Sequence, residues 1–333
     1  MSVSTPLRIV LTPVRNEAWV LRAFLEATSL WADYIIIVDQ MSTDGSREIA
    51  KDYPNVILLD NNRPEMHMAA ARKLLFEEVR KIEGDKILFA LDADEFLSGD
   101  FVNTEDWKRI TNSKPNDCFS WRWMNLKEGD ASKYSTWQHY YWAVHESKDL
   151  WEGAYPDNFI HEWRLPWPPK GNDEGHDIRL DGFCSIHLAR VNVLRQRNKQ
   201  RFYQVSTISN DPNASAVSLY RHYHGEEKMD YFDVPIDAYS LYERHGLDIW
   251  KYVNLQDEGQ YYNSEVLRYF EKDGLSRYRN LDIWDKDWME RVGLNDNPQS
   301  RFQKLLLRYL KKTMPYSKSV LVRGIDKILK QFV

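Results

Sequence analysis

Cysteine is nearly missing: Cys118 and Cys184 are the whole supply in 333 residues. Two thiols build neither a disulfide framework nor a thiolate zinc site, so a packed core in a reducing cytoplasm is the expectation. No apolar run approaches the roughly 18 residues that a membrane-spanning helix needs. Residues 1–13 lack a basic start followed by a long apolar stretch, and so do not read as a secretory signal. Internal repeats and low-complexity tracts are absent. So is any large positive excess: the net charge is −5, which argues against a general nucleic-acid binder.

A hydrophobic fraction of 43% supports a sizeable core. The charge is unevenly spread. Residues 301–333 hold nine basic side chains and one acid, Asp326, a net of +8 that leaves −13 on the rest. Within that tail Leu321, Ile325, Ile328 and Phe332 recur at helical spacing beside a stripe of Arg323, Lys327 and Lys330. Residues 302–310 have the same character. A basic amphipathic helix suits an anionic membrane surface, and it equally suits packing on an acidic body. The pattern leaves both open.

The first 125 residues alternate in type. Residues 7–12, 34–38, 56–59 and 86–91 read as strands, and 17–30 and 66–82 as helices, the first capped by Asn16. The run YIIIV at 34–38 has no polar alternation, as expected of a strand buried on both faces. Strand–helix alternation predicts a doubly wound parallel sheet. Such sheets bind ligands beyond the carboxyl ends of their strands, where Asp39, Asp92 and Asp94 fall. Residues 126–182, rich in Gly, Pro and Trp, read as irregular. A strand at 183–187, a basic helix at 189–209 and short helices over 213–300 follow. These readings divide the chain into a domain at 1–210, with halves at 1–125 and 126–210, and a helical region at 211–333.

The sharpest motif is LDADEF at 91–96. On a strand Asp92 and Asp94 would share one face. Adjacent carboxylates repel, and they favour a divalent cation with oxygen ligands, Mg²⁺ or Mn²⁺. The plain alternative is a solvated acidic loop. Asp39 can accept a hydrogen bond from a base or ribose. Asp44 suits the cap of the helix that follows it, and Glu17 suits a first helical turn for electrostatic reasons alone.

Four segments together, TPVRNEA at 12–18, IIIVDQMSTDGS at 35–46, AARK at 70–73 and FALDADEF at 89–96, resemble glycosyltransferase family 2. The resemblance covers residues 7–125. It departs at Gln40, where the family often has a second acid. It implies a GT-A type, Rossmann-like, mostly parallel sheet with a helical C-terminal extension. It also implies a nucleoside-diphosphate sugar donor, a UDP- or GDP-sugar. Glu17 and Asp39 would face the nucleoside and Arg72 the diphosphate. Asp92 would lie near the ribose, and Asp94 at an Mn²⁺ or Mg²⁺ ion.

A fainter likeness, to bacterial lipopolysaccharide-core glycosyltransferases, rests on Ile160-His161-Glu162 and on Ser185-Ile186-His187-Leu188 before a basic helix. It makes Glu162 the candidate catalytic base, with Asp157, Asp173 and Glu174 as rivals. His187 becomes a metal or diphosphate ligand, against the alternative of a core histidine. The implied acceptor is a glycan or glycolipid, and inversion is the implied outcome. The implied location is the cytoplasm, or the cytoplasmic face of a membrane.

Seven of the 13 Trp lie between 121 and 167, and they suit either an acceptor platform or a core. Two other readings stand beside this one. A nucleotidyltransferase would need a Gly-rich phosphate loop, which residues 12–18 lack. A non-catalytic nucleotide- or sugar-binding scaffold would not need the intact LDADEF.

Overall fold

The computed structural model describes residues 5–63, 68–152, 164–166, 177–211, 213–224 and 229–332. The early strands form where the apolar runs predict them. β1 (Leu7–Val14), β2 (Tyr34–Asp39), β3 (Val56–Asp60) and β4 (Lys86–Ala90) pair in parallel, in the order β3-β2-β1-β4. Alternation along them sends side chains to two cores. Val10, Ile35, Ile37 and Phe89 join the cluster that holds α1 (Ala18–Thr28) and Ala50 of α2 (Ser46–Lys51). Ile9, Ile36, Val38 and Leu88 join the cluster that holds α3 (Met68–Val79). Both faces are covered, which is why YIIIV carries no polar alternation.

Beyond β4 the sheet changes character. β5 (Glu95–Leu97) is followed by α4 (Glu105–Thr111), whose N-terminus is capped by Thr104 Oγ1. β6 (Cys118–Lys127), β7 (Asp130–His145) and β8 (Asp177–His187) then complete the order β4-β7-β6-β8-β5. β6 and β8 are parallel; the β4–β7, β6–β7 and β8–β5 pairs are antiparallel.

The expectation of irregular chain from 126 is therefore wrong for β7 and the start of β8. These strands were hidden because they bulge. The β6–β7 register shifts at Phe119/Ser120, Arg122/Met124 and Leu126/Lys127, and each shift breaks the period-two pattern. Gly129, with φ +67°, supplies the left-handed residue between the two strands.

The chain forms two compact units. The first comprises Met1–Val191 and Tyr231–Gln256; the second comprises Asn192–Asp230 and Asp257–Val333. This division differs from the boundary expected at 210. α5 (Val193–Asn210) belongs to the second unit, with α6 (Ala216–Tyr223). The first unit reclaims β9 (Phe232–Asp233), which pairs with β7, and α7 (Ser240–Arg244), where Tyr242 Oη donates to Leu97 O at 2.7 Å.

The second unit continues with α8 (Gln260–Asp273), α9 (Lys286–Arg291), α10 (Arg301–Thr313) and α11 (Val320–Leu329). Arg201 on α5 ties it together, donating to Asn263 Oδ1 at 3.2 Å and to Asp285 Oδ2 at 2.6 Å.

Phe89 lies fully buried between Trp31, at 5.0 Å between ring centroids, and Trp107, at 5.7 Å. Phe89→Ala will lower the stability of the first unit by about 3–5 kcal/mol, the usual cost of emptying a buried aromatic site. Urea unfolding followed by tryptophan fluorescence measures it.

Candidate functional site

The parallel register brings the strand ends level. Val14 lies opposite Asp39, and Asp39 opposite Asp60, so the carboxyl edge of the sheet carries acids from two neighbouring strands. The loops above that edge are tied side chain to backbone. Asn16 does not cap α1. It adopts φ +55°, receives Thr43 N–H on Oδ1 at 2.8 Å and gives its own N–H to Ser42 Oγ at 2.8 Å.

Asp44 serves two helix starts. Its Oδ2 accepts from Ala18 N at 2.9 Å and its Oδ1 from Ser46 N at 3.0 Å. The N-cap position of α2 is Gly45 and not the expected Asp44, which meets the first N–H of that helix from one residue further out and adds a long-range bond to α1. Glu17 stands at the N-cap position of α1, and its Oε2 accepts from Trp19 Nε1 at 2.6 Å.

Asp39 is buried at the end of β2. Its Oδ2 accepts from Ser42 N at 3.1 Å and from Arg47 Nη1 at 2.9 Å. Its Oδ1 is equally buried and has no hydrogen-bond donor among the described residues. Arg47 also reaches Asp60 Oδ1 at 2.6 Å, so a single guanidinium bridges the ends of β2 and β3. Sequence reasoning passed over Arg47; its place in the first turn after a strand-end acid was the available signal. Gln40 is turned away from any role as a second acid: it is buried and gives Nε2–H to Arg63 O at 3.1 Å. Arg72 is buried on α3.

The two acids of LDADEF part company. β4 ends at Ala90, and Glu95 N donates to Asp92 O at 3.0 Å, closing a turn before β5. Alternation therefore does not operate across Asp92 and Asp94, and the expectation that they share a strand face fails for that reason. Asp92 Oδ2 receives Arg164 Nη2 at 2.7 Å. Asp94 instead faces β8, where His187 Nε2 lies 3.6 Å from its Oδ2.

Between them sits Glu95, with no exposed surface. Its carboxylate accepts from Arg164 Nη1 at 2.5 Å, Arg164 Nη2 at 3.0 Å, Trp123 Nε1 at 2.8 Å and Asp92 N at 2.8 Å. Burial raises the Glu95 pKa; Arg164 opposes that rise, and the nearby Asp92 charge adds to it. Burial works against the charge on Arg164 as well, but Asp92 and Glu95 outweigh it and hold the guanidinium protonated. The guanidinium carbon also stands 4.8 Å from the ring centroid of Trp142 and 5.4 Å from that of Trp123.

Arg164, like Arg47, is a residue of the site that sequence reasoning missed. Nothing in its Trp- and Pro-rich surroundings marks it as the partner of acids some seventy residues earlier. Glu162, with its rivals Asp157, Asp173 and Glu174, lies outside the described residues.

Among the described residues no three His, Cys, Asp or Glu side chains converge as a metal cluster. The pair Asp94–His187 has a donor set that nevertheless fits a divalent ion. Asn125 Oδ1 lies 2.8 Å from His187 Nδ1 and accepts a hydrogen bond from it, so that in the neutral ring the lone pair lies on Nε2, the nitrogen facing Asp94. Trp123 stacks on the His187 ring at 5.2 Å and 10°, fixing its plane. With the ring neutral, the Asp94 oxygen and His187 Nε2 would suit a cation between them, with further positions left to a ligand.

Two of the seven tryptophans between 121 and 167 are core. Trp121 and Trp142 are fully buried, Trp121 Nε1 donates to Ser185 Oγ at 2.8 Å and Trp142 Nε1 to Trp121 O at 2.8 Å. Trp163 and Trp167 lie outside the described residues. Among the described residues, Trp123, half-buried between Arg164 and His187, and the buried Trp142, against Arg164, are the ones that reach the site.

Arg164→Met will strand Glu95 without its cation. An expected loss of about 3–5 kcal/mol in urea unfolding follows, as for other broken buried pairs. Arg164→Met/Glu95→Gln will regain most of it.

Residues 9–105 match the family model for Glycosyl transferase family 2. Among solved structures, HddC from Yersinia pseudotuberculosis is similar at 13% identity and a TM-score of 0.34, over 55% of this chain and 93% of that one. The inositol-1-phosphate CTP transferase from T. maritima aligns at 8% identity and a TM-score of 0.31, over 55% and 89%. A glycosyltransferase involved in the glycosylation of the major capsid of PBCV-1 aligns at 16% identity and a TM-score of 0.25, over 44% and 62%. No curated protein matches the chain.

Proposed function

From the match of residues 9–105 to the glycosyl transferase family 2 model, we propose that the chain transfers a sugar from a UDP- or GDP-sugar to a hydroxyl of a glycan or glycolipid, with inversion. The observation that carries the reading is Asp39 Oδ1, a buried acceptor without a donor among the described residues at the carboxyl edge of the sheet. Such an atom costs about 1–3 kcal/mol unless something supplies a hydrogen. The ring N–H of a uracil or guanine is a suitable donor. Arg47 and Ser42 N hold the other oxygen and so aim the carboxylate.

In this proposal Glu17 borders the nucleoside and Arg72 serves the diphosphate. Asp92 lies at the ribose, with its Oδ2 already committed to Arg164. Asp94 and His187 hold Mn²⁺ or Mg²⁺. The ion, when bound, offsets the charge that grows on the departing nucleoside diphosphate. Asn125 and Trp123 keep the His187 ring in its ligating orientation. Glu95 and Arg164 act as positioning residues, since their charges are met by each other and by Trp123. A carboxylate on the acceptor side removes the hydroxyl proton as the sugar is attacked; Glu162 is the residue we assign to it. The proposed location is the cytoplasm, at a membrane face where the acceptor is lipid-linked.

Thermal unfolding with UDP or GDP, with and without Mn²⁺, tests the donor site. One nucleotide will raise the melting temperature, and Mn²⁺ will enlarge the rise. Asp94→Ala and His187→Ala will each remove the Mn²⁺-dependent part, and Asp39→Ala will weaken nucleotide binding about tenfold or more. The reading is rejected if no nucleoside diphosphate shifts the transition. Product analysis separates the nucleotidyltransferase alternative, which would release pyrophosphate from a nucleoside triphosphate and a sugar phosphate.

A further inference from the structure

The C-terminal helix α11 has two apolar faces, and the structure uses only one of them. Val322 and Asp326 are buried, and Leu329 packs against the cluster of Val217, Tyr220, Leu306, Leu310 and Met314. The neighbouring face, offset by one residue, is left outside. Leu321 is 75% exposed, Ile325 38%, Ile328 60% and Phe332 69%. These are the four residues whose spacing marks the helix as amphipathic. They are not what holds it to its own unit.

What holds it is a charge. Asp326 is 7% exposed, and both its oxygens are taken: Arg221 Nε donates to Oδ2 at 2.9 Å, and Arg221 Nη2 and Tyr309 Oη each donate to Oδ1 at 3.1 Å. The same guanidinium donates to Leu310 O at 2.9 Å and to Thr313 Oγ1 at 2.7 Å, at the end of α10. Arg221 therefore fastens α11 and α10 to α6 at once.

The only acid of residues 301–333 is thus withdrawn from the surface, while all nine of their basic residues are exposed. Arg323 and Lys330 lie on the opposite flank of α11 from Leu321, and Lys327 lies nearer the boundary. On α10, Leu305 and Phe302 are exposed on the side that also carries Arg301, Arg308 and Lys312. A surface that joins large apolar side chains to cations, with no exposed acid among them, is complementary to one class of partner.

We propose that α11 docks on an anionic lipid surface, with Leu321, Ile325, Ile328 and Phe332 entering the headgroup–acyl boundary and the exposed Lys and Arg side chains of residues 301–333 drawing the segment to the negative surface through their summed charge. A second copy of the chain would bring like charge against like charge, which disfavours self-association as the way this face is covered. The inference goes beyond the transfer reaction and does not depend on it.

Sedimentation of the full chain with phosphatidylcholine vesicles, with and without phosphatidylglycerol, tests it. The protein will co-sediment with the phosphatidylglycerol vesicles and stay in solution with the neutral ones. Leu321→Asp/Ile328→Asp will lower that binding about tenfold or more, because it removes inserted apolar area and adds repulsion. Arg323→Gln/Lys327→Gln/Lys330→Gln will weaken binding and flatten its dependence on salt. All five positions are solvent-facing, so both variants will keep the wild-type melting temperature.

Equal vesicle binding by wild type and the Leu321/Ile328 variant overturns the proposal. So does dimerisation on size exclusion that this variant abolishes while neither protein binds vesicles. Nucleotide-induced thermal stabilisation, read on the same preparations, reports separately on the donor site.

Discussion

Glu95 is a carboxylate with no contact with water, and its charge has to be met inside the protein. A buried carboxylate without partners is costly enough to protonate or to unfold its surroundings. Here Arg164, Trp123 Nε1 and the backbone of Asp92 meet it together. The same arrangement decides the shape of the turn. By drawing in the N–H of Asp92, Glu95 bends the chain just after β4 and sends Asp92 toward Arg164. Glu95 is also paired in register with His187 across β5 and β8, so the strand that carries it delivers the ring opposite Asp94. One desolvated charge thus sets the directions of both neighbouring acids.

Charge is shared sparingly along this edge. Asp39 and Asp60 divide one guanidinium, that of Arg47, and Asp92 and Glu95 divide another, that of Arg164. Each set keeps a net negative charge. A diphosphate brought to such an edge would be repelled unless a cation came with it, and this is the electrostatic reason to expect metal dependence in the proposed reaction.

The first half of the fold was legible because its strands are uninterrupted apolar runs with helices on both sides. β6 and β7 were not, because bulges break their alternation and their Trp, Tyr and His residues resemble loop composition. At the site, Asp39 and Asp94 could be singled out by their positions after buried strands. Arg164 could not, since its significance comes from a sheet that brings distant residues together. The pairing of Asp92 with Asp94 misled because period-two reasoning holds only while the strand continues, and β4 ends at Ala90, before either acid. In α11 the amphipathic pattern was plain, but two apolar faces one residue apart carry the same periodicity. Only the partners of Asp326 distinguish the packed face from the bare one.

The clasp of Arg221 on Asp326 also bears on how this chain can change over time or be trimmed. By its charge alone the basic end resembles a removable appendage. Cutting it away at Met314 would leave the Arg221 guanidinium beside Leu310 O and Thr313 with its carboxylate gone, a cation held in a partly desolvated place. Substitutions on the outward face of α11 carry no such penalty. The outward face can therefore drift toward other surfaces while the helix itself stays fastened, so the sequence that selects a partner and the sequence that keeps the fold vary independently.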